Sequence, residues 1–294
     1  MSFGDDLSNE FLNLTKNIFS NEVSLFTKLQ DAFINLSNYY SNKYEINIIH
    51  GNKSFVEFKF NSSWVFSIAF GSKMTKELAD MMFIVFSEKK NEIRITYMQN
   101  KKGNSSNKFF ADLGQLHLLS AREEILSIPL PSCLFGDKLF LFNATLQSVG
   151  SYGIFYLDNR NIEMSYFPAD LITPINSSKK SMTRLVEYNT KNFNQTRRNG
   201  NDEESTGEET LKQFGDKLIG MKIGTPVKPD DNSYNQIINF LLKYFPDMKF
   251  TKWIEEYRIE DDNSNNDNLI YYVPNICVIN ADFYENDVKS NKKA

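Results

Sequence analysis

Histidine and cysteine are scarce in this chain, two of each in 294 residues. His50 and His117 leave too little imidazole for a histidine metal cage or a Ser-His-Asp triad. Cys133 and Cys277 lie far apart without metal-ligand spacing, which excludes a zinc ribbon and a disulfide-dense secreted scaffold. A surplus of positive charge is also missing. Thirty-three Lys and Arg stand against 37 Asp and Glu, a formal net charge of −4. The surface as a whole is therefore no basic footprint for nucleic acid, although a local basic groove stays open. No apolar run approaches the roughly 20 residues that span a bilayer. The opening MSFGDDLSNEFLNLTKNIF lacks the basic-then-apolar order of a signal peptide. Together these absences lead us to expect a reduced, cytoplasmic protein with no membrane partner.

What the chain does have is apolar and aromatic material. Hydrophobic residues make up 41% and aromatics 14%, enough for a packed core and too much for a disordered chain. Residues 21–41 read as an amphipathic helix. Val23, Phe26, Leu29, Phe33, Leu36 and Tyr40 recur at three- and four-residue steps, and Ser20 or Asn21 can cap the start. Strand-like runs follow at Tyr44–His50, Phe55–Phe60 and Trp64–Phe70, separated by turn residues. Met81–Phe86, the loop Ser87–Asn91 and Glu92–Gln99 form a hairpin, and Asp112–Ser120 a short helix. Leu113, Leu116 and Leu119 share one face of that helix. β-rich runs return between Leu139 and Thr173. Residues 176–213 are polar, rich in Asn, Ser and Thr and charged in both signs, which reads as a flexible linker or loop. A helix at about Tyr234–Phe245 and a strand at Leu269–Ile279 complete the pattern. We expect a core domain over 1–175, the linker over 176–213, a C-terminal α/β segment over 214–288 packing on the core, and a frayed tail over 289–294.

One constellation exceeds core patterning. Asp80 begins an apolar strand, and the antiparallel strand after it ends Tyr97-Met98-Gln99-Asn100-Lys101. In a hairpin the start of the first strand lies beside the end of the second. Asp80, Gln99 and Lys101 therefore converge at one sheet edge, and alternation puts Gln99 and Lys101 on one face. Metal-assisted phosphodiester hydrolysis wants such a set. A carboxylate holds a hard cation, Mg²⁺ or Mn²⁺, and a Gln carbonyl adds a second oxygen. The Lys ammonium orients the attacking water or neutralises the phosphate. Glu77, three residues before Asp80, and Glu22, which opens the first helix, are further carboxylates placed to reach the same edge.

A helix with an early Glu22, then strands, Asp80 at a strand start and Gln99-x-Lys101 at the end of the next resembles the PD-(D/E)xK nuclease superfamily. The order helix–strand–strand–strand–helix is that of its restriction-endonuclease-like core. More narrowly, Glu77-Leu78-Ala79-Asp80, Gln99-Asn100-Lys101 and Gln115-Leu116 resemble a bacterial group with an E-L-x-D … Q-x-K … Q-L pattern, associated with defence and mobile-element neighbourhoods. The resemblance covers roughly residues 20–175. It implies an α+β or α/β fold with a mixed central sheet flanked by helices and a C-terminal extension. It also implies a Mg²⁺- or Mn²⁺-dependent nuclease that cleaves DNA in anti-phage defence. Asp80, Gln99 and Glu77 would hold the metal, Lys101 would be the catalytic cation, Glu22 a supporting acid and Gln115 a residue turned towards the scissile phosphate. Gln99 stands where an acid is usual, which removes one charge from the metal site; branches resembling Mrr-type restriction nucleases also carry Gln there.

Plainer accounts stand beside these. An Asp at a strand start is a common turn former, Gln-Asn-Lys-Lys-Gly is ordinary exposed loop chemistry, and the helix dipole favours a Glu at a helix start. His117 reads as a helix-face histidine, Trp64 and Trp253 as core or partner-facing aromatics, and Cys133 as a buried small hydrophobe. Lys101, Lys102 and Lys108 flank the site as candidate nucleic-acid contacts. The basic residues Lys179, Lys180, Arg184, Lys191, Arg197 and Arg198 suit either a phosphate track or a solvated polyampholyte loop. The stretch GMKIGTP at 220–226 lacks the Gly-Lys-Ser/Thr ending of a phosphate loop. An energy-dependent step would therefore need a separate protein partner, an ATPase or a sensor. Three functions remain in play: a Mg²⁺-dependent DNA nuclease, a catalytically degenerate nuclease-fold subunit that binds nucleic acid or protein, and, least supported, a structural adaptor with no nucleic-acid role. An oligomer is compatible with all three.

Overall fold

Every residue of Met81–Ser87 is buried, so this strand needs cover on both faces. Alternation sends Met82, Ile84 and Phe86 into one apolar cluster and Met81, Phe83 and Val85 into a second. The rest of the fold supplies that cover. The computed structural model describes residues 1–16, 21–51, 54–60, 72–122, 125–127, 144–175, 182–188, 196–199, 202–205, 208–229, 232–250, 253 and 274–283.

In chain order the elements are α1 (Phe3–Thr15), α2 (Glu22–Tyr39), β1 (Ile46–Ile49), β2 (Phe55–Phe60), β3 (Ser72–Glu77), β4 (Met81–Ser87), β5 (Glu92–Ser105), β6 (Lys108–Asp112), α3 (Leu113–Ala121) and β7 (Ile125–Ser127). They continue with β8 (Gly150–Asp158), β9 (Asn161–Pro168), β10 (Ile172–Pro174), β11 (Thr183–Tyr188), β12 (Thr196–Asn199), β13 (Asp202–Ser205) and β14 (Glu209–Thr210). Then come α4 (Leu211–Ile219), β15 (Thr225–Val227), α5 (Asn232–Tyr244) and β16 (Asn275–Asn280). The central mixed sheet runs β1-β16-β4-β5 and continues from β5 through β8 and β9 to β14. The far end of β5 also carries β6, β11 and β10. β16 lies parallel to β4, and β8 parallel to β5. β2, β3 and β7 make a separate three-stranded sheet, and β12 and β13 a hairpin.

Helices cover both faces of the central sheet. On one side Phe3, Leu7 and Phe11 of α1, Leu25, Leu29 and Phe33 of α2, and Leu211, Phe214 and Leu218 of α4 pack on Met81, Phe83 and Val85. On the other, α3 and α5 bury leucines and isoleucines, with Phe245 just past α5, against Met82, Ile84, Phe86, Ile93, Ile95 and Tyr97. The molecule is thus an α+β fold, a mixed sheet between helices. Among the described residues no helix is long and apolar enough to cross a membrane.

Several elements differ from the sequence reading. The buried stripe of α2 is Leu25, Leu29, Ala32, Phe33 and Leu36, while Val23 and Tyr40 are exposed. This rotation puts Glu22, three residues before Leu25 and seven before Leu29, on the inward side. α3 is buried on all sides, not on one leucine face. The hairpin strand does not stop at Gln99, because β5 continues to Ser105, paired with β8 on the flank opposite β4 and then with β6. The segment 176–213 holds β11 to β14 and the start of α4. Arg184, Val186 and Tyr188 alternate inward there, and Tyr188 stacks on Phe167. The segment 214–288 contributes strands to the sheet itself, β15 against β5 and β16 between β1 and β4. His117 packs beside Phe58 and Phe60, and Trp253 is buried against Phe86. Trp64–Phe70, Leu139–Phe142, Cys133, Lys179, Lys180, Lys191 and the tail after 283 lie outside the described residues.

Candidate active site

The register of the hairpin creates the site. Met81 pairs with Met98, and the Asp80 N–H donates to the Met98 carbonyl at 3.2 Å, so Asp80 stands beside Gln99. From the other side the backbone and side-chain N–H groups of Asn275, at the start of β16, both donate to the Asp80 carbonyl. The residue is held in place by strands on both flanks.

Asp80 Oδ2 accepts two hydrogen bonds, from Gln99 Nε2 at 2.6 Å and from the Asn100 N–H at 2.7 Å. Burial pushes the Asp80 carboxyl above the usual carboxylate range. The Asn100 N–H, Lys101 and Gln99 pull the other way, and the charge of Glu22 adds to the upward push. Lys101 Nζ pairs with Glu22 Oε1 at 3.1 Å, and the Lys102 N–H donates to Glu22 Oε2 at 3.1 Å. Glu22 therefore grips β5 just past Gln99, and the inward rotation of α2 is what lets it do so.

Gln99 is oriented from behind. Its Oε1 accepts from Gln115 Nε2 at 2.6 Å, and the same nitrogen donates to the Glu77 carbonyl at 3.0 Å. The Gln115 backbone N–H is taken by Asp112 Oδ1, the N-cap of α3. Gln115 is thus a buried tether inside the protein, and its Nε2 is spent on Gln99 and Glu77 instead of facing a phosphate. Glu77 sits in β3, outside the central sheet, and joins this relay through its main-chain oxygen. Lys108 pairs with Glu187 at 3.2 Å, and Lys102 lies exposed beside the site.

Asp80, Gln99, Lys101, Glu22 and Gln115 thus come together, as does the Glu77 backbone. Among the described residues no three His, Cys, Asp or Glu side chains gather as a metal-binding group. The donor chemistry still fits Mg²⁺ or Mn²⁺. Such a cation takes hard oxygens, uses one or two carboxylates, and retains waters or substrate phosphate for the remaining positions. Asp80 and the neighbouring Glu22 offer the carboxylates. Gln99 presents nitrogen, not oxygen, towards Asp80, so a ligand role for its carbonyl requires that amide to turn over.

Two nearby groups escaped the sequence reading. Tyr152 pairs in register with Gln99, and its buried hydroxyl has no hydrogen-bond partner among the described residues. Burial raises that phenol well above its ordinary value, and Asp112 and Asp80 push in the same direction. Asn100 is fully buried, with both side-chain atoms likewise unpartnered. An added Cβ at Gly153 would come 2.9 Å from Asn100 Oδ1. Tyr152 belongs to no motif and Asn100 fills only the variable place of Q-x-K, so pairing with the distant strand β8 is what brings them to notice. Comparison of the chain with protein-family models, with curated proteins and with solved structures finds no match.

Proposed function

We propose that the protein is a divalent-cation-dependent hydrolase of phosphodiester bonds, with DNA as its substrate. The observation that carries this reading is the partly buried Asp80 carboxylate seated beside Gln99, with Lys101 held within its field by Glu22. The chain order supports it as well. α2, β1, the β4–β5 hairpin and α3 follow the helix–strand–strand–strand–helix order of a restriction-endonuclease-like core, with β2 and β3 before the hairpin and β6 after it as additions. The anti-phage setting rests on the E-L-x-D … Q-x-K resemblance alone.

Asp80 and Glu22 are the residues that would hold the cation, and Gln99 would join them after its amide turns. A bound cation supplies Lewis-acid polarisation of a phosphoryl oxygen and acidifies a water. Lys101 is an ammonium whose charge acts on Asp80, where it steadies negative charge building on the phosphate or aims the attacking water. Glu22 keeps Lys101 oriented until substrate arrives. The test is cleavage of DNA and RNA by purified protein with Mg²⁺ and with Mn²⁺. Cleavage is expected for the wild type and is lost in Asp80→Asn and Lys101→Met, with both variants folded by circular dichroism. A wild type inert on every nucleic acid with both cations would defeat the reading.

A second reading has its own observation. Gln99 turns a nitrogen to Asp80, and both ends of its amide are occupied within the protein. That arrangement suits a nuclease-type fold kept as a nucleic-acid-binding or protein-binding subunit. Salt-dependent DNA binding that survives Lys101→Met, without cleavage by the wild type, selects this alternative.

A further inference from the structure

We propose that Gln115 is a positioning residue: it sets which end of the Gln99 amide faces Asp80, and thereby how tightly the site takes a divalent cation. The inference rests on the hydrolase reading above and deepens it. Two ends of the relay have fixed polarity. The Glu77 carbonyl only accepts, and so does the ionised Asp80 carboxylate. Two amides stand between them, each with an oxygen and an NH₂ group. Because Gln115 meets the Glu77 carbonyl at 3.0 Å, it must present nitrogen there. The second hydrogen of that nitrogen reaches Gln99 at 2.6 Å, so Gln99 must present oxygen in return. Its own nitrogen is then left for Asp80.

Turning Gln99 over, as a cation ligand, creates conflicts at both of its ends. Two oxygens meet at Asp80, and two NH₂ groups meet at Gln115. A cation between Asp80 and Gln99 removes the first conflict and leaves the second. Turning Gln115 relieves the second only by setting its oxygen against the Glu77 carbonyl. Nor can Gln115 swing away, since it is 6% exposed in a helix buried on all sides. The relay is therefore a latch that favours the cation-free arrangement, and the amide on α3, not a carboxylate, tunes affinity.

The experiment measures Mn²⁺ binding to the whole 294-residue chain by electron paramagnetic resonance of the free ion, without nucleic acid. Gln115→Met preserves length and apolar packing while removing the donor. It is expected to bind Mn²⁺ more tightly, on the order of fivefold, the scale of one net hydrogen bond. The gain should vanish in a Gln99→Met background, which a merely structural role for Gln115 would not produce. Should Gln115→Met fail to fold, Gln115→Leu gives the same comparison. Affinity unchanged or weakened in the Gln115 variant, or a gain that persists without Gln99, overturns the proposal. If Asp80→Asn removes wild-type binding in that case, the hydrolase reading stands while the latch falls. Absence of any Asp80-dependent Mn²⁺ binding in wild type and variants overturns both.

Discussion

At the scale of the residue, Asp80 is a carboxylate placed where its charge opposes folding. Its pKa is raised because burial outweighs the Asn100 N–H, Lys101 and Gln99. Both of its hydrogen bonds land on one oxygen, Oδ2, so the single oxygen of an Asn side chain can accept both. Asp80→Asn should therefore keep the local geometry while removing the unfavourable charge. In cation-free protein at pH 7 we expect it to stabilise the fold by about 0.5–2 kcal/mol, the usual range for a single relieving replacement, read as a higher urea midpoint. A midpoint lowered by a similar amount would show that Asp80 is structural, not poised for function. That Asp80 and Gln99 stand side by side was legible in the sequence, because hairpin pairing follows from apolar runs and turn residues alone. The direction of the Gln99 amide was not. It depends on the carbonyl of Glu77, a residue of another sheet, and on Gln115, whose partners no local pattern reveals.

At the scale of the element, close approach explains what periodicity misses. α1 crosses α4 at two glycines. A Cβ on Gly4 would fall 1.9 Å from the Lys212 carbonyl oxygen, and one on Gly215 would lie 3.0 Å from Gly4 Cα. Asp216 accepts from the Gly4 N–H at 2.7 Å and from Ser2, and Lys212 pairs with Asp5. Gly4→Ala must push the helices apart, which we expect to destabilise by about 1–3 kcal/mol. Asn9→Ala, on the exposed side of α1, should be neutral to slightly stabilising. Paired urea titrations check the contrast, and equal midpoints would refute it. The helix at 21–41 was legible from its spacing, but its rotation was not. Val23 fits the apolar period as well as Leu25 does, and only the sheet beneath decides which is buried. The strands within 176–213 were hidden for a different reason. β11 and β14 are held by ladders to β6, β9 and β10, and β12 and β13 by pairing with each other, not by their own polar composition.

At the scale of the whole molecule, the sheet is closed by β16, a strand about two hundred positions beyond the hairpin it flanks. It buries Ile276, Val278 and Ile279 between β1 and β4 and hydrogen-bonds the Asp80 backbone. Those three side chains alone contribute roughly 5–9 kcal/mol at 1.5–3 kcal/mol each, comparable with the about 5–15 kcal/mol stability of a typical domain. A chain ending at residue 273 is therefore expected to lose its fixed tertiary packing. Collapse of the near-UV circular dichroism and rapid proteolysis within 81–105 would report it, and a native-like spectrum would contradict it.

The same strand acts as a clock during synthesis. Asp80 and Asn275 are 195 residues apart, and at about 5–20 residues per second that separation is roughly 10–40 s of translation. Throughout that interval β4 and β5 exist with one flank open and the Asp80 carbonyl unclaimed. The strand that seats the acid is made late, so Asp80 gains its second flank only as the ribosome is nearly finished with the described fold.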